Sequence, residues 1–279
     1  MSIAPEKIKF FAKFIEGELG IIYSESNYFQ LEHRLNDIAS QLGLGNLDEL
    51  WLKATFGIDG QFKNLLLDLA TNNETSFFRD ASLFKSLVQV IVPDLILKNP
   101  NLKEIRIWSA ACSSGQEPYS IAMALEEARS ANLGFPDYKI LATDFSERVL
   151  KRTKERTYSQ LELQRGLTPT LLNKFFDAGT TPDKWVLNAR IPASKFEFKK
   201  LNLLEPWKFD DHFHIIFCRN VLIYQKVENK IQVVEKMIQL LEREGYLALG
   251  AAESLLGISE RFEQIHFENA VFYRKKENS

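Results

Sequence analysis

The chain has 279 residues, enough for one large or two ordinary domains with a sizeable core. Its composition, 45% hydrophobic and 26% charged, is typical of soluble globular proteins, and no apolar run approaches the roughly 18 residues that span a bilayer. A formal net charge of −2 and a pI near 6.2 give no electrostatic case for nucleic acid as the default partner.

Residues 1–72 predict a small bundle of helices. Apolar residues recur with helical spacing from Ile8 to Leu19, and Gly20 is a plausible end of that helix. The pattern repeats from Leu31 to Leu42. The region is acidic, with six Lys or Arg against ten Asp or Glu. Charges every few residues leave no room for a signal-peptide core.

The rest of the chain predicts alternating strands and helices. A junction at 70–80 leads into a long apolar-periodic helix over 80–97. Strand candidates follow at 104–110, 138–144, 213–219 and 245–251, separated by helical patterns at 119–131, 146–156 and 227–242. This alternation predicts an α/β fold with a mostly parallel sheet and right-handed crossovers. Short segments at 266–267 and 271–274 are predicted to add an antiparallel pair.

One segment interrupts the alternation. A helix is predicted at 168–176, and strands are predicted at 185–187 and 196–200. Roughly forty residues between two sheet strands exceed an ordinary crossover. We therefore predict a small inserted subdomain over about 160–200.

The stretch 105–120, IRIWSAACSSGQEPYS, and the later ILATD at 140–144 predict a ligand pocket. An apolar strand, a turn of small residues and a helix start are followed by a second strand that ends in Asp144. A carboxylate there typically accepts hydrogen bonds from ribose hydroxyls. The turn lacks the glycine spacing that cradles phosphates, so an adenosine cofactor without phosphates, such as S-adenosylmethionine, fits the pattern.

Each of these residues also has a purely structural interpretation. Asp144 can cap the helix that follows it, and the small residues can form an ordinary tight turn. Glu117, beside Pro118 at a helix start, can stabilise the helix dipole or neutralise the cofactor's ammonium or sulfonium group. The local sequence does not decide between capping and ligand binding.

Two further motifs sit where function is expected. NETSFFRD at 73–80 joins two aromatic residues to Arg79 at the domain junction. The alternative interpretation is a linker whose phenylalanines pack into the core and whose arginine is solvated. FCRNVLIY at 217–224 ends an apolar strand, where open α/β sheets bind ligands. Its alternative is a buried strand followed by a polar turn, with Tyr224 in the core.

Other chemistries lack their motifs. The four histidines form no ligand cluster, and no CxxC, GxSxG or GxxxxGK[ST] motif is present. The basic run KRTKER at 151–156 is typical of a solvated helix face. The two cysteines, Cys112 and Cys218, lie at the ends of different predicted strands and indicate a reducing compartment. We therefore predict a cytoplasmic protein.

Together, NETSFFRD, WSAACSSGQEPYS, ATDFSERVL, NLLEP and FCRNVLIY, in this order, closely resemble the chemotaxis receptor methyltransferases, the CheR family. The resemblance runs from about Asn73 to the end of the chain, whereas the N-terminal region agrees only in size and helical character. It implies a Rossmann-like methyltransferase domain over 73–279, after a helical domain over 1–72. It also implies transfer of methyl groups from S-adenosylmethionine to glutamate side chains of bacterial chemoreceptors, with S-adenosylhomocysteine as product.

The resemblance further implies a set of site residues. Cofactor contacts are expected from Asn73, Thr75, Arg79, Glu117, Asp144, Asn202, Leu203, Arg219 and Asn220. Arg79 and Tyr224 are expected nearest the transferring methyl group, in a catalytic role, and no metal is implied. Glu117 and Asp144 are expected to bind the methionine amino group and the ribose region.

Two features bear on the partner, which the resemblance implies to be the cytoplasmic helical region of the receptors. Some members dock a basic N-terminal helix on an acidic receptor stalk, whereas this N-terminal region is acidic. Some members also bind a receptor C-terminal peptide through the β insertion, and the sequence of 178–200 leaves this open.

Two other classes of function are weighed against this one. A methyltransferase for small molecules or nucleic acids is the first, and the (N/D)PP(Y/F) signature of amino-methylating DNA enzymes is absent. A non-catalytic signalling adaptor that binds the cofactor is the second. The intact set of Arg79, Glu117, Asp144 and Asn220 argues against it.

Overall fold

The computed structural model describes residues 5–71, 73–132, 134–209 and 211–276. Its N-terminal part is helical, as predicted, and contains four α-helices: α1 Pro5–Leu19, α2 Tyr28–Gln41, α3 Leu47–Thr55 and α4 Gly60–Ala70. Their apolar stripes meet in a separate core, in which Ile15, Leu35 and Leu66 are fully buried. Helix α1 ends where Gly20 adopts φ +70°, a left-handed conformation that glycine reaches without steric cost.

The predicted helix over 80–97 is present but is interrupted by one wider turn. It consists of α5 Ala81–Ser86, a π-helical turn Leu87–Ile91 and α6 Val92–Lys98. Pro93, which has no N–H to donate, lies at the start of α6. The periodic apolar residues Phe84, Leu87 and Ile91 are buried against the sheet.

A seven-stranded sheet forms the centre of the rest of the chain. Its strands are β1 Glu104–Ala110, β2 Asp137–Asp144, β6 Phe196–Lys200, β7 Phe213–Cys218, β8 Leu241–Ala248, β9 Phe262–Phe267 and β10 Ala270–Lys275. They lie in the order β6-β2-β1-β7-β8-β10-β9. The first five pair in parallel, and β10 pairs antiparallel with both β8 and β9. The predicted Rossmann-like sheet and its final antiparallel pair are therefore confirmed.

Helices cover both faces of this sheet. Because successive side chains of a strand point to opposite faces, each strand packs against helices on both sides. Ile107 and Ile215 face α7 Gln116–Ala131, whereas Trp108 and Ile216 face α11 Val227–Leu240.

No helix in the described part of the chain is long and apolar enough to cross a membrane.

The insertion differs from the prediction in one strand. A small antiparallel sheet is present, in the order β3-β5-β4, with β3 Thr157–Ser159, β4 Phe176–Ala178 and β5 Lys184–Leu187. Helices α9 Gln160–Gln164 and α10 Pro169–Phe175 contact it, whereas α8 Glu147–Glu155 packs against β2 and β6 of the main sheet. The strand predicted at 196–200, however, belongs to the main sheet as β6, which pairs in parallel with β2. As an edge strand rich in lysine, β6 has the half-exposed pattern of a small surface sheet, which explains the wrong assignment.

Candidate active site

A cavity opens where β1, β2 and β7 end, at the carboxyl edge of the parallel strands. This is the edge at which open α/β sheets bind ligands. All ten predicted site residues line it: Asn73, Thr75, Arg79, Glu117, Asp144, Asn202, Leu203, Arg219, Asn220 and Tyr224. Residues far apart in the sequence are thus brought to one place by the order of the strands.

Asp144, the last residue of β2, is buried at the floor of this cavity. Its Oδ2 accepts the N–H of Ser113 at 2.9 Å, and its Oδ1 accepts the N–H of Ser146 at 3.0 Å. Burial raises the pKa of the carboxyl to about 6, against the opposing effect of these two hydrogen bonds. Asp144 does not cap α8, because Ser146 does so by accepting the N–H of Val149.

The turn between β1 and α7 is left-handed at three positions. Ala111 has φ 58° and Ser113 φ 51°, values that carry a steric cost for residues with a Cβ, and Gly115 has φ 92°. Ser113 also donates its hydroxyl to the backbone carbonyl of Asn73 at 2.8 Å. The turn is therefore tightly wound and is attached to the NETSFFRD segment, with its backbone at the cavity.

Glu117 projects from the first turn of α7 into the cavity and is 12% exposed. Ser109 donates its hydroxyl to Oε1 at 2.7 Å, and Arg219 donates Nη1 to Oε2 at 3.0 Å. Each carboxylate oxygen keeps a second acceptor position for a ligand. The carboxylate is thus oriented by the ends of β1 and β7 and does not cap its own helix, whose N-cap residue is Gly115.

Arg219 joins two of the motifs. Its side chain is 2% exposed and forms ion pairs with Asp80 and Glu117. Its Nη2 also donates to the backbone carbonyl of Arg79 at 2.8 Å, whereas its buried Nε has no hydrogen-bond partner among the described residues. Most of the guanidinium is therefore used to hold Glu117 and the NETSFFRD segment in position.

Arg79 lies at the cavity wall, and the aromatic residues before it anchor the segment. Phe77 is fully buried with its ring edge-to-face with Tyr158, and Phe78 packs on another ring in the same core. The guanidinium of Arg79 makes one long contact, at 3.4 Å, with the backbone carbonyl of Glu74. Both phenylalanines thus pack into the core and Arg79 is exposed, as the structural interpretation expects, but Arg79 also lines the cavity.

The FCRNVLIY segment also lines the cavity, next to the NETSFFRD segment that Arg219 contacts. Asn220 adopts a left-handed backbone with φ 58°, and Tyr224 ends a short 3₁₀ turn and is half-buried. The carbonyl of Tyr224 accepts the N–H of Ile22 at 2.9 Å, and Gln225 donates its side-chain amide to the carbonyl of Leu19 at 2.9 Å. This segment is therefore fastened to the N-terminal helices.

Residues 73–271 match the sequence profile of a family described as CheR methyltransferase, SAM binding domain. The chain belongs to the CheR methyltransferase family. A chemotaxis protein methyltransferase from Pseudomonas aeruginosa is 37% identical and covers 99% of this chain and all of its own length. Relatives of the same description from Pseudomonas putida and Vibrio anguillarum are each 36% identical, covering 95% and 99% of this chain and 96% and 99% of their own length.

The matched residues begin after the N-terminal helices, yet Leu19 at the end of α1 and Ile21 beyond it line the cavity. Asn202 donates its side-chain amide to the carbonyl of Glu18 at 2.9 Å. Several further lining residues were not predicted as site residues, among them Leu19, Ile21, Phe145 and Gln225. Leu19 has the spacing of an ordinary core residue, Phe145 lies in the ATDFSERVL motif without an assigned role, and Ile21 and Gln225 lie in no motif. Their place at the site follows only from the packing.

The two thiols lie in the same region of the CheR domain. Burial raises the pKa of both Cys112 and Cys218 well above the ordinary value, so that both remain protonated at neutral pH. Neither forms a disulfide.

Among the described residues, no group of three or more His, Cys, Asp or Glu is arranged to hold a metal ion.

Proposed function

We propose that this chain transfers methyl groups from S-adenosylmethionine to glutamate side chains of bacterial chemoreceptors, giving glutamate methyl esters and S-adenosylhomocysteine during chemotactic adaptation. The observation that carries the proposal is the convergence of five separate motifs on one cavity of a CheR domain. The relatives that match over nearly the full length are named chemotaxis protein methyltransferases.

The charges of the cavity support the choice of cofactor. Glu117 and Asp144 are two separate carboxylates, which suit a ligand with a cationic amino acid end and a ribose diol but repel phosphates. Glu117 would bind the methionine ammonium group, and Asp144 would accept hydrogen bonds from the ribose hydroxyls. Asn73, Thr75, Asn202, Leu203 and Asn220 would complete the contacts.

Methyl transfer to a carboxylate requires no general base, because a glutamate with an ordinary pKa of about 4.3 is already ionised at neutral pH. Bound S-adenosylmethionine supplies an electrophilic methyl group with a neutral thioether leaving group. The chain's task is alignment, which can lower such a barrier by roughly 7–11 kcal/mol. Buried, protonated thiols are consistent with this, since no protein nucleophile is needed.

Arg79 would orient the incoming glutamate by charge-assisted hydrogen bonds. Because the nucleophile loses charge on the way to transfer, a tighter pairing in the ground state would slow the reaction. The single long contact of Arg79 with Glu74 is consistent with a guanidinium that turns towards a substrate. Tyr224, which also lines the cavity, would position the carboxylate or the cofactor without adding charge.

The partner would be the helical cytoplasmic region of the receptors. A receptor C-terminal peptide is a further candidate partner, which would bind to the insertion. The chain would act in the cytoplasm.

We also propose a helical domain over 1–72 and a catalytic domain over 73–279. Asn72, where this boundary falls, lies outside the described residues. The hydrogen bonds of Asn202 and Gln225 to α1 imply that the two parts bind the cofactor together.

The proposal is tested by incubating the chain with methyl-labelled S-adenosylmethionine and chemoreceptor-containing membranes. Base-labile label on the receptor, released as methanol, is the expected result. Binding of the cofactor without transfer would favour a signalling adaptor. Label on a small molecule or nucleic acid would assign a different substrate.

A further inference from the structure

Glu253, in the loop between β8 and β9, accepts hydrogen bonds from four backbone N–H groups. Its Oε2 accepts from Asn220 and Gly250, both at 2.7 Å. Its Oε1 accepts from Val221 at 2.9 Å and from Ile223 at 3.1 Å. Three of the donors belong to the loop that carries Asn220 and Tyr224.

These contacts take the place of the backbone hydrogen bonds between neighbouring strands, which end before this point. Strands β7 and β8 pair up to Phe217 and Ala248, and beyond that point no ladder joins the two loops. Backbone N–H groups left without an acceptor are costly when shielded from water. The four acceptor positions of one ionised carboxylate satisfy them together.

The conformation fixed in this way is a strained and crowded one. Asn220 is left-handed, with φ 58°, a conformation that costs free energy unless its surroundings hold it. Gly250 packs against it so closely that an added Cβ would lie 2.6 Å from the Asn220 side-chain nitrogen and 2.9 Å from its backbone nitrogen. The loop therefore has little freedom to relax while Glu253 is in place.

We propose that Glu253 is a positioning residue for the cofactor and acceptor site. It holds Asn220 and Tyr224 at the cavity by accepting hydrogen bonds from the backbone N–H groups of the loop that carries them. Glu253 does not line the cavity, so its action passes entirely through that loop. The inference rests on the proposed function for the role of the cavity, but the loop geometry it invokes is independent of which substrate is methylated.

The test compares Glu253→Gln with Glu253→Asp and with Glu260→Gln, a matched change at an exposed residue of the same loop. The glutamine replaces one acceptor oxygen with an NH₂ group that faces backbone donors. We expect Glu253→Gln to weaken S-adenosylhomocysteine binding about tenfold and to lower kcat for methyl transfer up to about 100-fold, since misplacement by about 1 Å can cost that much. Glu253→Asp keeps both oxygens and is expected to lie between Glu253→Gln and the unaltered chain.

Binding and kcat are measured at a temperature at which circular dichroism shows every variant folded. A purely structural role would lower the melting temperature but leave kcat and the affinity of the folded variant unchanged, and that result would overturn the proposal. If Glu253→Gln does not fold, Gly250→Ala, which pushes on Asn220 from the same side, is measured in its place with the same expectations.

The two proposals fail separately. If the unaltered chain transfers no methyl group to receptors but Glu253→Gln still weakens S-adenosylhomocysteine binding, the positioning role stands and the proposed substrate is wrong. If the unaltered chain methylates receptors and Glu253→Gln behaves like Glu260→Gln, the positioning role is wrong and the proposed function stands.

Discussion

Asp144 shows at the scale of one residue how burial can serve binding. Its carboxyl is removed from water at the end of β2, which raises its pKa to about 6. Two backbone N–H groups hold it in place. A carboxylate that has already lost its hydration has less solvation to give up when ribose hydroxyls bind to it.

The pKa of Asp144 predicts how cofactor affinity depends on pH. Ribose hydroxyls donate to the ionised carboxylate, so S-adenosylhomocysteine affinity is expected to be constant above about pH 7 and to fall as pH decreases through 6. Calorimetric titrations between pH 5 and 8 measure this. Asp144→Asn should bind more weakly at pH 7 and lose this dependence. An unchanged affinity at pH 5 would exclude Asp144 from ribose binding.

The same shift predicts an opposite effect on folding. The pKa in the folded chain lies above the ordinary value of 3.8, so the folded state binds the proton more tightly than the unfolded state. The contribution of Asp144 to the free energy of unfolding is therefore largest below pH 4 and is lost as pH rises to about 6. Denaturant unfolding of the unaltered chain and of Asp144→Asn, compared over this range, isolates the effect.

Arg79 is the residue whose loss should separate transfer from folding. Because its guanidinium is held by one long backbone contact, Arg79→Ala is expected to change the free energy of unfolding by less than about 0.5 kcal/mol. Methyl transfer should fall at least about 100-fold, since the acceptor carboxylate loses its orienting charge. The control is Arg243→Ala, because Arg243 lies at the amino end of β8 and does not line the cavity. Near-normal transfer by Arg79→Ala would remove this residue from the mechanism.

At the scale of elements, the end of α1 links the helical part to the site. Gly20 has φ +70°, and an added Cβ would lie 2.1 Å from Gln225 Oε1 and 2.5 Å from Asn229 Nδ2. Both side chains could move aside only by giving up hydrogen bonds, including that of Gln225 to the Leu19 carbonyl. The neighbours of Gly20, Leu19 and Ile21, line the cavity.

Gly43 provides a matched comparison, because it has φ +71° and open space around it. Gly43→Ala should cost about 1–2 kcal/mol for the left-handed backbone alone. Gly20→Ala should cost about 1 kcal/mol more for each hydrogen bond lost, and it should weaken S-adenosylhomocysteine binding. Denaturant unfolding and calorimetry measure the two effects. Equal costs at both positions would show that α1 is not tightly coupled to the site.

The strands also show how much of the fold and of the site could be predicted from the sequence. Strands β1, β2 and β7 were predicted because their buried apolar runs are distinctive, and the small-residue turn and Asp144 followed from their positions. Strand β6 was assigned to the insertion because a short, half-exposed edge strand has no such signal. Leu19 and Glu253 could not be predicted as parts of the site, because their contacts join residues more than thirty positions apart or lie outside any motif.

For the whole molecule, the charges of the cavity predict which adenosine compounds stabilise it. S-adenosylhomocysteine at a hundred times its Kd is expected to stabilise the folded chain by about 2.7 kcal/mol and to raise the melting temperature. ATP carries the same adenosine but places phosphates near Glu117 in a turn without a phosphate-binding glycine pattern, so no increase is expected. Equal stabilisation by both would contradict the proposed orientation of the cofactor.

We propose that one cavity, with Arg79 beside the acceptor, esterifies receptor glutamates. The most direct test is mass spectrometry of receptor peptides after incubation with S-adenosylmethionine and either the unaltered chain or Arg79→Ala. We predict the mass of a methyl ester on specific glutamates with the unaltered chain, removed by mild base, and its near absence with Arg79→Ala even at saturating S-adenosylmethionine. Methylation on another residue type, or no methylation by a chain that binds the cofactor, would contradict the account.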